Sequence, residues 1–310
     1  MAIKHFETIF VSPDGRIRAG WRILMQIILS LLFLIPLQLL AAQFGGRNMQ
    51  IVAGGIAITL AIWTAAWILD KRPITDFGLR MNTQWWKDCL VGFLVASVVM
   101  FLMVLGMWLL GWAEFSGFGW NRTSDRSFLW MLGGYVVTMA LVGFYEELWA
   151  RGYQLKNMTE GFYTGRNRYV AGLIAIGISS LAFGALHLGN PNVTFLGILV
   201  IVLAGVMLAL PYVVTGQLGY SVGLHFAWNV VQGAVFGLPV SGNLFRQSVL
   251  QLQVTGPELW TGGRFGPEGG FFGIIGVVLI VIFMIAWLRI RGYSMTISKE
   301  LTRPPSPKHT

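Results

Sequence analysis

Phe144-Tyr145-Glu146-Glu147-Leu148-Trp149-Ala150-Arg151-Gly152 closes an apolar run that begins near residue 128. Two adjacent carboxylates in a run of membrane-spanning length are costly unless they are paired or used. Residues four apart share a helix face, and Glu ahead of a cation at that spacing is the favourable order. Glu147 and Arg151 satisfy this, whereas Glu146 lies five residues from Arg151 and is turned about 100° from Glu147. The pair therefore divides. Glu147 is expected to be locked to Arg151, and Glu146 to face elsewhere, where a carboxylate in apolar surroundings suits the work of a general base.

The rest of the chain explains why this stretch stands in a membrane. Of its 310 residues, 55% are hydrophobic and 11% charged, with mean hydropathy +0.66; a soluble domain carries roughly 25% charged residues. Abundant Gly and Trp agree with that class. Apolar runs recur at about 21–42, 50–69, 88–112, 128–157, 169–188, 194–214, 218–240 and 271–288. Each reaches or approaches the roughly 20 residues a spanning helix needs. The expected fold is an all-α polytopic membrane protein of about eight transmembrane helices. The first run is too long for a signal-peptide core and is read as retained. Residues 1–20 form a polar N-terminal segment with a turn at Ser12-Pro13-Asp14-Gly15. Residues 21–290 make one transmembrane domain, with the chemistry in 127–240, and 291–310 read as a disordered tail ending in Arg303-Pro304-Pro305-Ser306-Pro307. The connection at about 241–270 reads as irregular, placed to cover the outer mouth.

Basic residues orient the chain. With the N-terminus inside, seventeen Lys and Arg fall on inner segments and five on outer ones. Both termini are thus expected in the cytoplasm, and the net charge of +9 reads as attraction to an anionic leaflet, not to nucleic acid. The single cysteine, Cys89, excludes disulfides and Cys-rich metal sites. No phosphate loop, dinucleotide fingerprint or serine-nucleophile motif is present.

Two further stretches carry polar groups in apolar surroundings: Phe183-Gly184-Ala185-Leu186-His187 and His225-Phe226-Ala227-Trp228-Asn229. Phe183 lies one turn before His187, and His225 and Asn229 are again four apart. Of four His, only these two lie outside the tails, and of thirteen acidic residues only Glu146 and Glu147 fall in the interior of an apolar run, Asp88 standing at the very start of its own. Carboxylate, two imidazoles and an amide suit amide hydrolysis. A carboxylate and an imidazole position and deprotonate water, while the other imidazole and the amide stabilise the oxyanion. Glu146, His187 and His225 also resemble a catalytic zinc set, although no His-Glu-x-x-His occurs. Each group taken alone is equally readable as interhelical glue.

The three motifs together, Glu146-Glu147-x-x-x-Arg151, Phe183-x-x-x-His187 and His225-x-x-x-Asn229, resemble those of the CPBP intramembrane proteases. That group includes CAAX prenyl-protein endopeptidases and bacterial proteins linked to bacteriocin self-immunity. The segments Asp14–Arg22 and Phe77–Arg80 are also similar to bacterial members; Trp149-Ala150 departs from a common Leu-Phe-like pair. The resemblance implies that Glu146 and His187 activate water, that His225 and Asn229 hold the oxyanion, and that Glu147, Arg151 and Phe183 support the site. It implies a peptide or membrane-protein substrate and a bacterial cytoplasmic membrane, and leaves open whether a divalent metal such as zinc takes part. The competing readings are a non-catalytic protein of the same fold, acting in immunity or as a membrane chaperone, and a proton- or ion-coupled transporter. The absence of an internal repeat counts against the last.

The cavity is expected to open toward the cytoplasm. Depth is the weak point: counted from the expected inner helix ends, Glu146 lies roughly 16 Å in and His187 roughly 27 Å.

Overall fold

The computed structural model describes residues 9–12, 15–122, 125–245 and 248–303. The centre of the Ser12–Gly15 turn and residues 304–310 of the tail lie outside them, though Gly15 N does donate to Ser12 O. Eight long helices make up the described chain: α1 Ala19–Phe44, α2 Arg47–Ile68, α3 Thr83–Leu109, α4 from Asp125, α5 Arg168–Ala185, α6 Phe195–Thr215, α7 from Gly219 and α8 Phe271–Ile290. All but α7 are long and apolar enough to cross a membrane. The protein is an integral membrane protein. Its lipid-facing surface is visible in exposed side chains such as Leu32, Trp67, Leu109 and Ile290, a belt that water would not tolerate.

The fourth helix runs further than hydropathy suggests. It is α-helical over Asp125–Glu147, widens to a π-helix over Leu148–Leu155, and returns to α-helix over Lys156–Phe162. The seventh helix is shorter than its apolar run: α-helix over Gly219–Val230, then a π turn over Val231–Val235. Almost every residue of its α-helical part is buried, because it packs along α3 and against α4 at the centre of the bundle. Glycine permits this approach. A Cβ on Gly223 would stand 1.9 Å from Cys89 O, and one on Gly92 2.2 Å from Tyr220 O. On the other side, α5 and α6 meet through Gly184 against Val202 and Gly205 against Ser180. Small residues of this kind bring membrane helices together where no hydrophobic force separates helix from lipid.

Both ends of the chain dock at one end of the bundle. Arg22 pairs with Asp70 at 2.5 Å and Glu160 at 3.0 Å, and Arg72 reaches Glu160 at 2.8 Å. Tyr153 Oη donates to Asp70 Oδ2 at 2.7 Å. The C-terminal segment is not loose up to residue 303: Ser298 N donates to Val213 O, Lys156 Nζ donates to Glu300 O, and Leu301 is buried. At the opposite end, the connection expected to be irregular contributes β2, Leu250–Val254, paired antiparallel with β1, Ala113–Phe118. Its alternating Leu/Gln pattern supplies the period of two that a half-buried strand needs.

Gly223→Val should prevent the α3–α7 contact. Overpacking of this kind costs about 1–3 kcal/mol, and here the obstacle is backbone. Thermal unfolding of the detergent-solubilised variant should show a fall of several degrees or loss of the monodisperse species.

Candidate active site

Glu147 is the innermost polar group of the site, fully buried. Its Oε1 accepts from Arg151 Nη1 at 2.7 Å, the i,i+4 pair expected. The same oxygen lies 2.8 Å from His225 Nδ1 on α7, a contact the spacing argument does not contain. Arg151 also donates through Nη2 to Gly205 O on α6 at 3.1 Å. Its guanidinium lies 4.3 Å from the centre of the Phe183 ring on α5. Phe183 is the spacer of the site, with the His187 ring 4.9 Å and the His225 ring 6.1 Å from its own.

Glu146 faces a different way, as expected. Its Oε2 is 3.7 Å from His225 Nε2, and its Oε1 accepts a 3.4 Å hydrogen bond from Tyr145 Oη. Unlike Glu147 it is partly open, with 23% of its side chain exposed against 0%. The exposure goes to a cavity of about 760 Å³ lined by Glu146, Phe183, His187, His225 and Asn229 together. That volume is within the usual range for ligand sites. A smaller adjoining space of about 60 Å³ shares four of these residues and adds Trp228 and Glu268.

His187 sits just beyond α5, not within it. The helix ends at Ala185, and His187 N bonds to Gly184 O in the closing turn. Its Nδ1 is 2.8 Å from Phe183 O. A carbonyl oxygen carries no proton, so Nδ1 is the donor and Nε2 keeps its lone pair in the neutral ring. The depth mismatch narrows with the extra length of α4. Glu146 lies sixteen residues before Phe162, roughly 24 Å at 1.5 Å per residue, against roughly 28 Å for His187 counted from Arg168.

Two of the three helices that carry motif residues widen to π-helix at the motif, over Leu148–Leu155, which holds Arg151, and over Val231–Val235, just after Asn229. Such widened turns are frequent at functional sites, and nothing in the apolar pattern announces them. Tyr145, Trp228, Ser241 and Glu268 were also not singled out from the sequence. Tyr145 and Trp228 lie inside the motif stretches. Glu268 comes from the outer connection, accepting from Trp228 Nε1 at 2.8 Å and from Ser241 N. A lone acid in a Gly/Pro-rich loop carries no signal of its own.

Among the described residues no group of three His, Cys, Asp or Glu is arranged to hold a metal ion. Glu146, His187 and His225 line the cavity together but are not arranged as such a group.

Residues 127–231 match the family model Rce1-like, type II CAAX prenyl endopeptidase Rce1-like. The segment spans all three motifs and is consistent with a CPBP-family intramembrane protease. It supports, at the level of the family, an intramembrane endopeptidase of the CAAX type. Comparison with the curated proteins and with the solved structures finds no match. The Rce1-like segment coincides with α4 to α7, which include every motif residue that lines the cavity.

Because Glu147 and Arg151 are both buried, Arg151→Met should leave the carboxylate bonded to His225 but without its guanidinium partner and cost about 3–5 kcal/mol. The double variant Glu147→Gln/Arg151→Met should recover much of that loss. Thermal unfolding in detergent measures both.

Proposed function

We propose that this protein is an intramembrane endopeptidase that hydrolyses a peptide bond with water activated by Glu146 and His187. The observation that carries the reading is that Glu146, His187, His225 and Asn229 line one cavity while Glu147 and Arg151 are buried away from it. In this mechanism water binds between the Glu146 carboxylate and His187 Nε2. Glu146 takes a proton as the water oxygen attacks the scissile carbonyl carbon. The carbonyl oxygen gains negative charge and is held by the Asn229 amide and by His225. With Nδ1 directed at Glu147, His225 offers Nε2–H to the oxyanion as the imidazolium. Collapse of the tetrahedral intermediate breaks the C–N bond, and the proton held by Glu146 passes to the leaving amine. Preorganised donors of this type are the largest single contribution in many acyl transfers.

Glu147 and Arg151 act as positioning residues: they fix the His225 ring and the Phe183 face but do not touch the substrate. The reading places the chain in a bacterial cytoplasmic membrane with both termini cytoplasmic. It assigns a peptide or membrane-protein substrate without a prenyl group being required.

Glu146→Gln and His187→Ala should each lower cleavage by about 10²–10⁴-fold, the range for loss of a general base. Asn229→Ala should lower kcat by about 10²–10³-fold, the range for loss of one oxyanion donor. A peptide-library cleavage assay on the purified protein, with and without chelator, checks these. Full activity in folded Glu146→Gln would refute the assignment.

A further inference from the structure

A second cavity, of about 820 Å³, lies at the end of the bundle where both ends of the chain dock, and it shares no lining residue with the candidate active site. The residues before α1 fold back to build one of its walls. Ser12 N donates to Arg16 O and Arg18 N to Phe10 O, each at 2.8 Å. Trp21 stacks on Phe10 with ring centres 5.0 Å apart, and its Nε1 donates to Ile9 O. Another wall is the end of α4, Glu160 and Gly161, with Tyr163 and Thr164 just beyond it.

The lining is positively charged. Among the described residues it holds three arginines, Arg16, Arg18 and Arg22, and a single carboxylate, Glu160. Arg16 and Arg22 are buried and donate to Glu160 at 3.4 and 3.0 Å, Arg22 donating also to Asp70. Arg72 brings a further guanidinium to Glu160 at 2.8 Å, so the arginines outnumber the carboxylates that hold them. Arg22 Nε is buried with no hydrogen-bond partner among the described residues, and the two carboxylates therefore do not exhaust its donors. The first turn of α1 stands on the same wall: Ala19, Gly20 and Trp21 line the cavity, no side chain caps the turn and no acid lies in it. Guanidinium groups and a helix N-terminus both favour the oxygens of a phosphate.

The surroundings decide what carries that phosphate. Trp is a residue of the membrane–water interface, and Trp21 lines the cavity together with Leu24. From there Ile28 and Leu32 continue one exposed apolar stripe along α1, at the three- and four-residue spacing of a single helix face. A free phosphate would leave the stripe without a role, whereas a phospholipid occupies both parts. We propose that this cavity binds the headgroup phosphate of an anionic phospholipid, with an acyl chain lying along Trp21, Leu24, Ile28 and Leu32. The excess of arginine selects a headgroup that keeps its negative charge over one whose own cation cancels it. The bound lipid ties the segment before α1 to the end of α4. The proposal is independent of the endopeptidase reading.

The test uses the full chain, purified in a neutral detergent and washed free of lipid. Phosphatidylglycerol added back should raise the unfolding temperature by several degrees, as a ligand bound by the folded state alone does, and phosphatidylcholine at the same concentration should raise it by less than half as much. Native mass spectrometry should show about fivefold more phosphatidylglycerol than phosphatidylcholine on the protein. Arg18→Gln, at an exposed position, should lower the bound phosphatidylglycerol about threefold and leave the melting of the lipid-free protein unchanged. Arg289→Gln removes the same charge from an exposed position near the end of α8, outside the cavity, and should lower nothing. Equal binding of the two lipids, or equal loss in the two variants, would overturn the site. A rise of the same size with glycerol phosphate in place of lipid would overturn the phospholipid as its occupant.

Discussion

A carboxylate with no exposure to solvent or lipid must be compensated where it stands, and Glu147 is compensated from two directions. Arg151, on its own helix, approaches to 2.7 Å, and His225, on α7, to 2.8 Å. Arg151 is in turn bonded to a carbonyl of α6 and stacked on Phe183 of α5. A single buried charge thereby ties together four helices whose apolar surfaces alone would leave their rotation about their axes poorly specified. Lipid tails are as apolar as leucine, so burial of hydrocarbon discriminates weakly among packings inside a bilayer. The charge sets the rotation, and the glycine contacts of α3 with α7 and of α5 with α6 let the backbones come close enough for it to act.

The consequence for chemistry is a division between groups that hold and groups that are free to react. Glu147, Arg151 and Phe183 are buried and engaged. Glu146, one residue away, is turned by the helix into the cavity and is partly exposed. His187 is fixed through Nδ1 by a backbone carbonyl, which leaves its other nitrogen available. The π segments after Glu147 and Asn229 widen two of the motif helices where these side chains must be splayed. The loop carboxylate Glu268 then links Trp228 to the Ser241 backbone, so the outer connection is part of the wall of the site.

The same distribution of charge operates on a larger scale. At the terminal end, Arg16, Arg22 and Arg72 converge on Glu160, and Arg22 also pairs with Asp70. This docks both ends of the chain at one end of the bundle. The opposite end carries the two-stranded sheet.

Periodicity and composition determined the helical membrane class, the positions of the apolar runs and the split between Glu146 and Glu147. Those features depend on residues a few positions apart, where 1.5 Å and 100° per residue suffice. The three motifs, read together, also identified which side chains to gather. Only the tertiary structure decided that His225 leans on Glu147, that the fourth helix runs to Phe162 and so brings Glu146 closer in depth to His187, and that Glu268 enters the wall. Each of these joins residues separated by tens of positions, or depends on a helix end set by packing with polar partners such as Glu160, which hydropathy reads as a reason to stop.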